Sequence, residues 1–257
     1  MTVGSDQGTQ GCPPLGTYQE GMDWNPVENV IFHRRSIRSY RKDPLPPGVI
    51  RRILEAGRFA PSAGNSQPWL FVVITSPEII AQMERDALRV VRTFMFLMDY
   101  TRSWFRRTFV VHFTKLMTRI FPRLLHPVPF AAMMQMARGE VPVFFEAPAM
   151  IVLLKDRRGA ADPSLGVGIA GQNMVIAAHS LGVGTCWIGF VRLLCWSRNW
   201  FKWKRRLGIG YPYELAEAIV LGWPTERRHG QSPREVLEVP WLEHGADDAP
   251  RLERLGE

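Results

Sequence analysis

Apolar positions along the chain switch between two periods, and the switches mark its elements. Asn25-Pro26-Val27-Glu28 reads as a helix start, with Asn as cap, Pro in the first turn and Glu three residues after the cap; the helix is expected to run to about His33. Pro47 opens a second helix through Ile50, Ile53 and Leu54 to about Arg58. Trp69 to Ile74 (WLFVVI) is short, aromatic and β-branched, which predicts a buried strand. Ala147 to Leu154 and Ala218 to Leu221 are two more such runs. Ser164 to Leu181 places Val167, Ala170, Met174, Ala177, Ala178 and Leu181 on one helical face, and Gly182 suits its C-terminal end. Val183 to Gly189 reads as a strand ending in a turn.

Residues 1–25, rich in Gly, Thr and Gln, predict a flexible tail before a single domain over 26–257. The start lacks the pattern of a signal peptide, and no run of 18 apolar residues occurs, so a cytoplasmic protein is expected. The three cysteines, Cys12, Cys186 and Cys195, form no CxxC pair. They predict neither a disulfide framework nor a zinc or iron–sulfur ligand set, and no metal site is expected. Strands alternate with helices without GxGxxG or GxxxxGK[ST], so a glycine-rich phosphate loop is not the binding device.

Chemistry concentrates in three segments. Arg34, Arg35, Ser36 and Arg38 put three cations and a hydroxyl into five residues. Arginine makes bidentate, charge-assisted bonds to phosphate and planar carbonyl groups, though alone the segment also reads as a solvated basic turn. Pro61 to Gln67 supplies small residues, backbone and amides, and alone is a loop. Gly184 to Gly189 supplies a strand end with little bulk, open to a ligand's approach. No histidine is placed where it would act as a catalytic group.

Five stretches in order, RRSIRSY (34–40), APSAGNSQPWLFVV (60–73), APAMIVLL (147–154), GIAGQNMVIAAHSLGVGTCWIGF (168–190) and AIVLGWP (218–224), closely resemble the nitroreductase family. The resemblance implies an α+β fold, a mainly antiparallel sheet flanked by helices, in an intertwined homodimer with FMN at the interface. It implies Arg34, Arg35 and Ser36 near the FMN phosphate and ribityl chain, and Arg38 near the pyrimidine edge of the ring. Pro61, Ser62, Ala63 and Asn65 would reach the flavin of the other subunit. Trp187, Ile188 and Gly189 would lie along the ring, with a backbone N–H near N5. The family's C-terminal phosphate ligand falls on Arg228 by this reading. The flavin carries the hydride, so no side chain is nominated as catalytic. The implied activity is electron transfer from NAD(P)H, or an external donor, to a nitroaromatic, quinone or activated alkene. Other flavin reactions on the same fold (reductive dehalogenation, flavin breakdown, ring dehydrogenation) stay open, as does a membrane- or partner-binding flavoprotein.

Residues 85–145 depart from the family's common length. Between Arg85 and Arg138 stand ten basic residues and two acids, Asp86 and Asp99, so this segment carries the chain's whole net charge of +8. Lys115, Arg119 and Arg123 are spaced four apart; Phe109, Phe113, Leu116, Met117, Ile120 and Leu124 form an apolar face. A helical excursion packed on the flavin site or the dimer is expected. It reads alternatively as a methionine-rich lid over the substrate, or as a surface for an anionic membrane through 85–138. Nucleic acid is not expected, because the cations alternate with a strongly apolar face.

Overall fold

The computed structural model describes residues 24–98, 103–120, 127–226, 234–235, 237–241 and 251–255. The tail expected at 1–25 therefore lies outside the described residues up to position 23. The chain order is α1 (Pro26–His33), α2 (Pro47–Arg58), β1 (Trp69–Ile74), α3 (Pro77–Met98), α4 (Trp104–Ile120), α5 (Pro127–Arg138), β2 (Ala149–Asp156), α6 (Pro163–Ser180), β3 (Gly184–Ile188), α7 (Trp200–Arg206), β4 (Tyr213–Gly222), β5 (Leu237–Trp241) and β6 (Arg251–Leu255). A 3-10 segment, Gly189–Trp196, follows β3 directly.

Local chemistry accounts for the helix ends. Asn25 accepts from the backbone N–H of Val27 and Glu28, while Glu28 reaches back to the N–H of Asn25, a reciprocal cap. Asp162 caps α6 by accepting from Ser164 N–H. The strand expected from Ala147 begins at Ala149, since Pro148 has no N–H to give a ladder.

The sheet is antiparallel in the order β1-β2-β4-β3. Its middle strands are apolar on both faces because both faces are covered. Met150, Val152 and Leu154 point to a core shared with α3, α5 and α7; Ile151 and Leu153 point to a second core with α2 and α6. This period of two explains why the β2 sequence reads as an unbroken apolar run.

Small residues let α6 lie close to the sheet. A Cβ on Gly171 would fall 2.3 Å from the Trp187 indole, and Leu153 stands on the other side. Gly171→Ala is expected to cost about 1–3 kcal/mol through overpacking, read as a shift in the denaturant midpoint. On the opposite face Asp86, itself buried, accepts from Arg89, from the Asn199 amide and from Trp203 Nε1 at 2.7, 3.0 and 2.8 Å. That carboxylate ties α3 to α7.

Leu116 and Ile120, placed by the spacing on an apolar face packed on the flavin site or the dimer, are 51% and 52% exposed within the single chain. The main neighbour of α4 among the described residues is α3.

Candidate functional site

The basic segment after α1 is held as a strand-like edge. The helix stops at Arg34, whose backbone turns extended. Ser36 then bridges Thr185 in parallel, and Ile37 N–H donates to the Thr185 carbonyl at 2.9 Å. The Ile37 side chain lies across Gly184, where an added Cβ would stand 2.9 Å from it. Only a residue without a side chain admits this approach. Further along, Tyr40 bridges Pro224, and Arg41 N–H donates to the Trp223 carbonyl at 2.8 Å. The Thr225 hydroxyl donates to Ser39 Oγ, also at 2.8 Å. Residues 36–41 are thus clamped between the free edge of β3 and the chain leaving β4.

The clamp leaves a cavity of about 330 Å³ lined by Ser36, Ile37, Arg38, Ser39, Thr225 and Glu226. Beside it the Cys186 thiol is pushed up by burial, and Arg38, Ser36 and Arg34 pull in the opposite direction. Those three side chains therefore converge on β3. The Arg38 guanidinium also sits 5.8 Å from the Phe145 ring centroid. His179 is lowered, first by burial and then by the charges of Arg34 and His33.

At the end of β3, Trp187 is half-buried, Ile188 buried and Gly189 exposed. Glu217 lies next to Gly189 on β4, its Oε2 only 3.2 Å from where a Cβ would be. Burial raises this carboxyl above its ordinary 4.5, opposed by the charge of Arg192. The folded state thus holds the proton more tightly than the unfolded one, so stability falls as pH rises from about 4.5 through the raised value. Glu217→Gln is expected to be more stable than the parent at pH 8 (a value above the usual carboxylate range, as for any ionised Glu at roughly neutral pH) and to lose that advantage near pH 4, checked by urea midpoints at both.

The loop after α2 is built differently. Gly64, Asn65 and Gln67 all take left-handed backbone, at φ 56°, 53° and 44°. Ser62 secures it: its carbonyl accepts from Asn65 N–H and its hydroxyl from Gln67 N–H, both at 3.0 Å. Ser62 is half-buried, while Pro61, Ala63 and Asn65 are exposed. This loop leads into β1, whereas the basic segment lies along β3. Two strands, β2 and β4, separate them, a distance of roughly 14 Å at ordinary strand spacing. One chain therefore lays Arg34–Arg38 along β3 at Gly184, Thr185 and Cys186, on the strand that leads to Trp187–Gly189, and holds Pro61–Asn65 apart from it.

The Nitroreductase family model matches residues 31–223, most of the chain and every segment of this site described above except Pro224, Thr225 and Glu226. The chain belongs to the nitroreductase family. Among the relatives of this family member, an NADH dehydrogenase of Thermus thermophilus is 64% identical over 51 residues, 20% of this chain and 25% of that protein's length. A 5,6-dimethylbenzimidazole synthase of Rhodospirillum rubrum is 27% identical over 236 residues, covering 83% of this chain and 93% of that one. In fold, it is similar to a nitroreductase with bound FMN from Desulfitobacterium hafniense, at a TM-score of 0.62 and 21% identity over 82% of this chain and 96% of that one.

Of the residues expected to serve this nitroreductase-family site, Arg228 lies outside the described residues. Ser39, Thr225 and Glu226 were not anticipated from the sequence; the position of Thr225 directly after the AIVLGWP stretch was the available signal. Among the described residues no cluster of His, Cys, Asp or Glu is arranged to hold a metal ion.

Proposed function

We propose that the chain is an FMN-dependent oxidoreductase whose binding site is completed by a second copy. The observation that carries this reading is the clamped cavity beside the start of β3, where Arg38 and the hydroxyls of Ser36, Ser39 and Thr225 line the wall and Arg34 stands near Cys186. Its donor set fits FMN: guanidinium groups and hydroxyls suit a phosphate and a ribityl chain, and the exposed Gly189 leaves room for a flat ring. When bound, FMN supplies two-electron transfer at its N5 atom.

Each residue has a separate task. Arg34 and Arg35 hold the phosphate, and Ser36 hydrogen-bonds the same region. Glu226 on the cavity wall repels an anion, which favours the phosphate towards Arg34 and Arg35. Arg38 faces the pyrimidine edge and opposes the negative charge of the reduced ring, which favours reduction. Trp187, Ile188 and Gly189 line the ring and present a backbone N–H to N5. Arg228 is assigned to the phosphate. Pro61, Ser62, Ala63 and Asn65 serve the flavin of the second copy, in keeping with their separation from Arg34–Arg38 within one chain. Exposed Phe59 beside that loop, with Val27 and Ile31 on α1 and Leu165 on α6, suits the homodimer this requires.

The electron donor is NADH or NADPH, and the acceptor a nitroaromatic, quinone or activated alkene. The long resemblance to a 5,6-dimethylbenzimidazole synthase favours, as a second reading, a different reaction of the same flavin. Anaerobic titration of the purified protein decides the first question. Bleaching of a flavin spectrum by NADH or NADPH is expected. Protein that is colourless and acquires no flavin spectrum with added FMN would sink the proposal. Product analysis with each acceptor class then separates the two readings.

A further inference from the structure

Among the described residues, none of the basic middle segment lines the cavity at Ser36–Ser39. Helix α4 contains four cations, Arg106, Arg107, Lys115 and Arg119, and no acidic residue. Of the two acids between 85 and 138, Asp86 is buried in its contacts with Arg89, Asn199 and Trp203. Asp99 lies outside the described residues. On the described surface of this stretch, Arg85, Arg92, Arg107, Lys115 and Arg119 are exposed without a carboxylate among them.

Apolar groups share that surface. Trp104 is 78% exposed at the start of α4, and Leu116 and Ile120 are half-exposed one turn apart. Phe96 and Leu97 are half-exposed near the end of α3. Lys115 and Arg119 directly precede Leu116 and Ile120, so each apolar residue has a cation beside it around the helix. Large apolar side chains left in water cost free energy unless something covers them.

The charge selects the cover. A second copy meeting this face about a twofold axis would bring like charge against like charge. Nucleic acid would satisfy the cations but leave Trp104, Leu116 and Ile120 uncovered. An anionic lipid surface satisfies both sets: headgroup charge meets the cations with tryptophan at their level, while aliphatic side chains enter the boundary below them. Among the described residues no helix is long and apolar enough to cross a membrane, so the contact is peripheral.

We propose that α4, with the adjoining end of α3, docks in the plane of an anionic phospholipid surface. Leu116 and Ile120 enter the headgroup boundary, while Lys115 and Arg119 lie against the headgroups with Trp104 at their level on the same side of the helix. The proposal does not depend on the flavin reading, and its test reads no activity.

The test is co-sedimentation of the full chain with phosphatidylcholine vesicles, with and without phosphatidylserine. Binding is expected only when phosphatidylserine is present, and added salt should release it. Each cation near such a surface strengthens binding about fivefold. The Lys115→Gln/Arg119→Gln variant should therefore bind roughly 25-fold more weakly, while Lys115→Arg/Arg119→Lys binds like the parent. The salt release of the unaltered protein keeps the test independent of whether a variant folds. Equal binding to both vesicle types, no binding to phosphatidylserine vesicles, or indifference to salt would each overturn the proposal. So would a drop in solution mass by light scattering on Leu116→Ser/Ile120→Ser, since that assigns the face to a second copy.

Discussion

Asp86→Ala is expected to lower the free energy of unfolding by about 3 kcal/mol. The ion pair with Arg89 is not the main reason, because that guanidinium stands 64% exposed and water replaces its partner cheaply. The loss comes from the other side. Trp203 is buried, and its Nε1–H donates to Asp86 at 2.8 Å; the Asn199 amide donates to both carboxylate oxygens at 3.0 Å. Removing the acceptor strands the buried indole N–H away from water and leaves the half-buried Asn199 amide without its partner. Asp86→Asn, which keeps one acceptor oxygen, should lose clearly less. Denaturant unfolding of the three proteins measures the order. A loss of the same size on Arg89→Ala would show that the ion pair, not the stranded donors, carries the effect.

Arg38→Ala is expected to weaken FMN binding by ten- to a hundredfold, the effect of about 1.5–3 kcal/mol for a hydrogen bond to a charged group. Arg38 is exposed on a segment fixed by its backbone: the Ile37 and Arg41 N–H bonds and the Ser39–Thr225 contacts do not involve its side chain. The unfolding midpoint without flavin should therefore move little. Arg38→Lys keeps the charge but not the planar fork, and should fall between the two. Fluorescence titration of flavin-free protein measures all three. Affinity unchanged in Arg38→Ala would remove Arg38 from the ligand set while leaving the cavity itself in place.

The local elements were legible because each is written in a short span. The Asn25–Glu28 cap sits where the motif predicts, Pro47 opens α2, and WLFVVI is β1 from its first residue to its last. Helix α7 was not read, since seven residues with four cations and two tryptophans show no clear period. It is helical because Trp203 inserts into the core and meets Asp86, 117 residues away in sequence. The paired strands β5 and β6 likewise escaped notice, as their short segments mix charge with apolar residues in no clear order.

The site was legible as chemistry and not as geometry. Residue types and their order identified the family and singled out Arg34–Arg38, Pro61–Asn65 and Trp187–Gly189 as candidates, because cations, hydroxyls and small residues are local properties of the chain. Which segments meet within one chain was decided by sheet order. Strand pairing joins residues far apart in sequence, and nothing in Ser36 or Thr185 alone announces their bridge. The same pairing carries Thr225 and Glu226 to Ser39, and sets β2 and β4 between the basic segment and the strand that follows the Pro61–Asn65 loop. Tertiary packing also decided that Leu116 and Ile120 of α4 stay half-exposed within one chain, since amphipathic spacing marks an apolar face but does not say what will cover it.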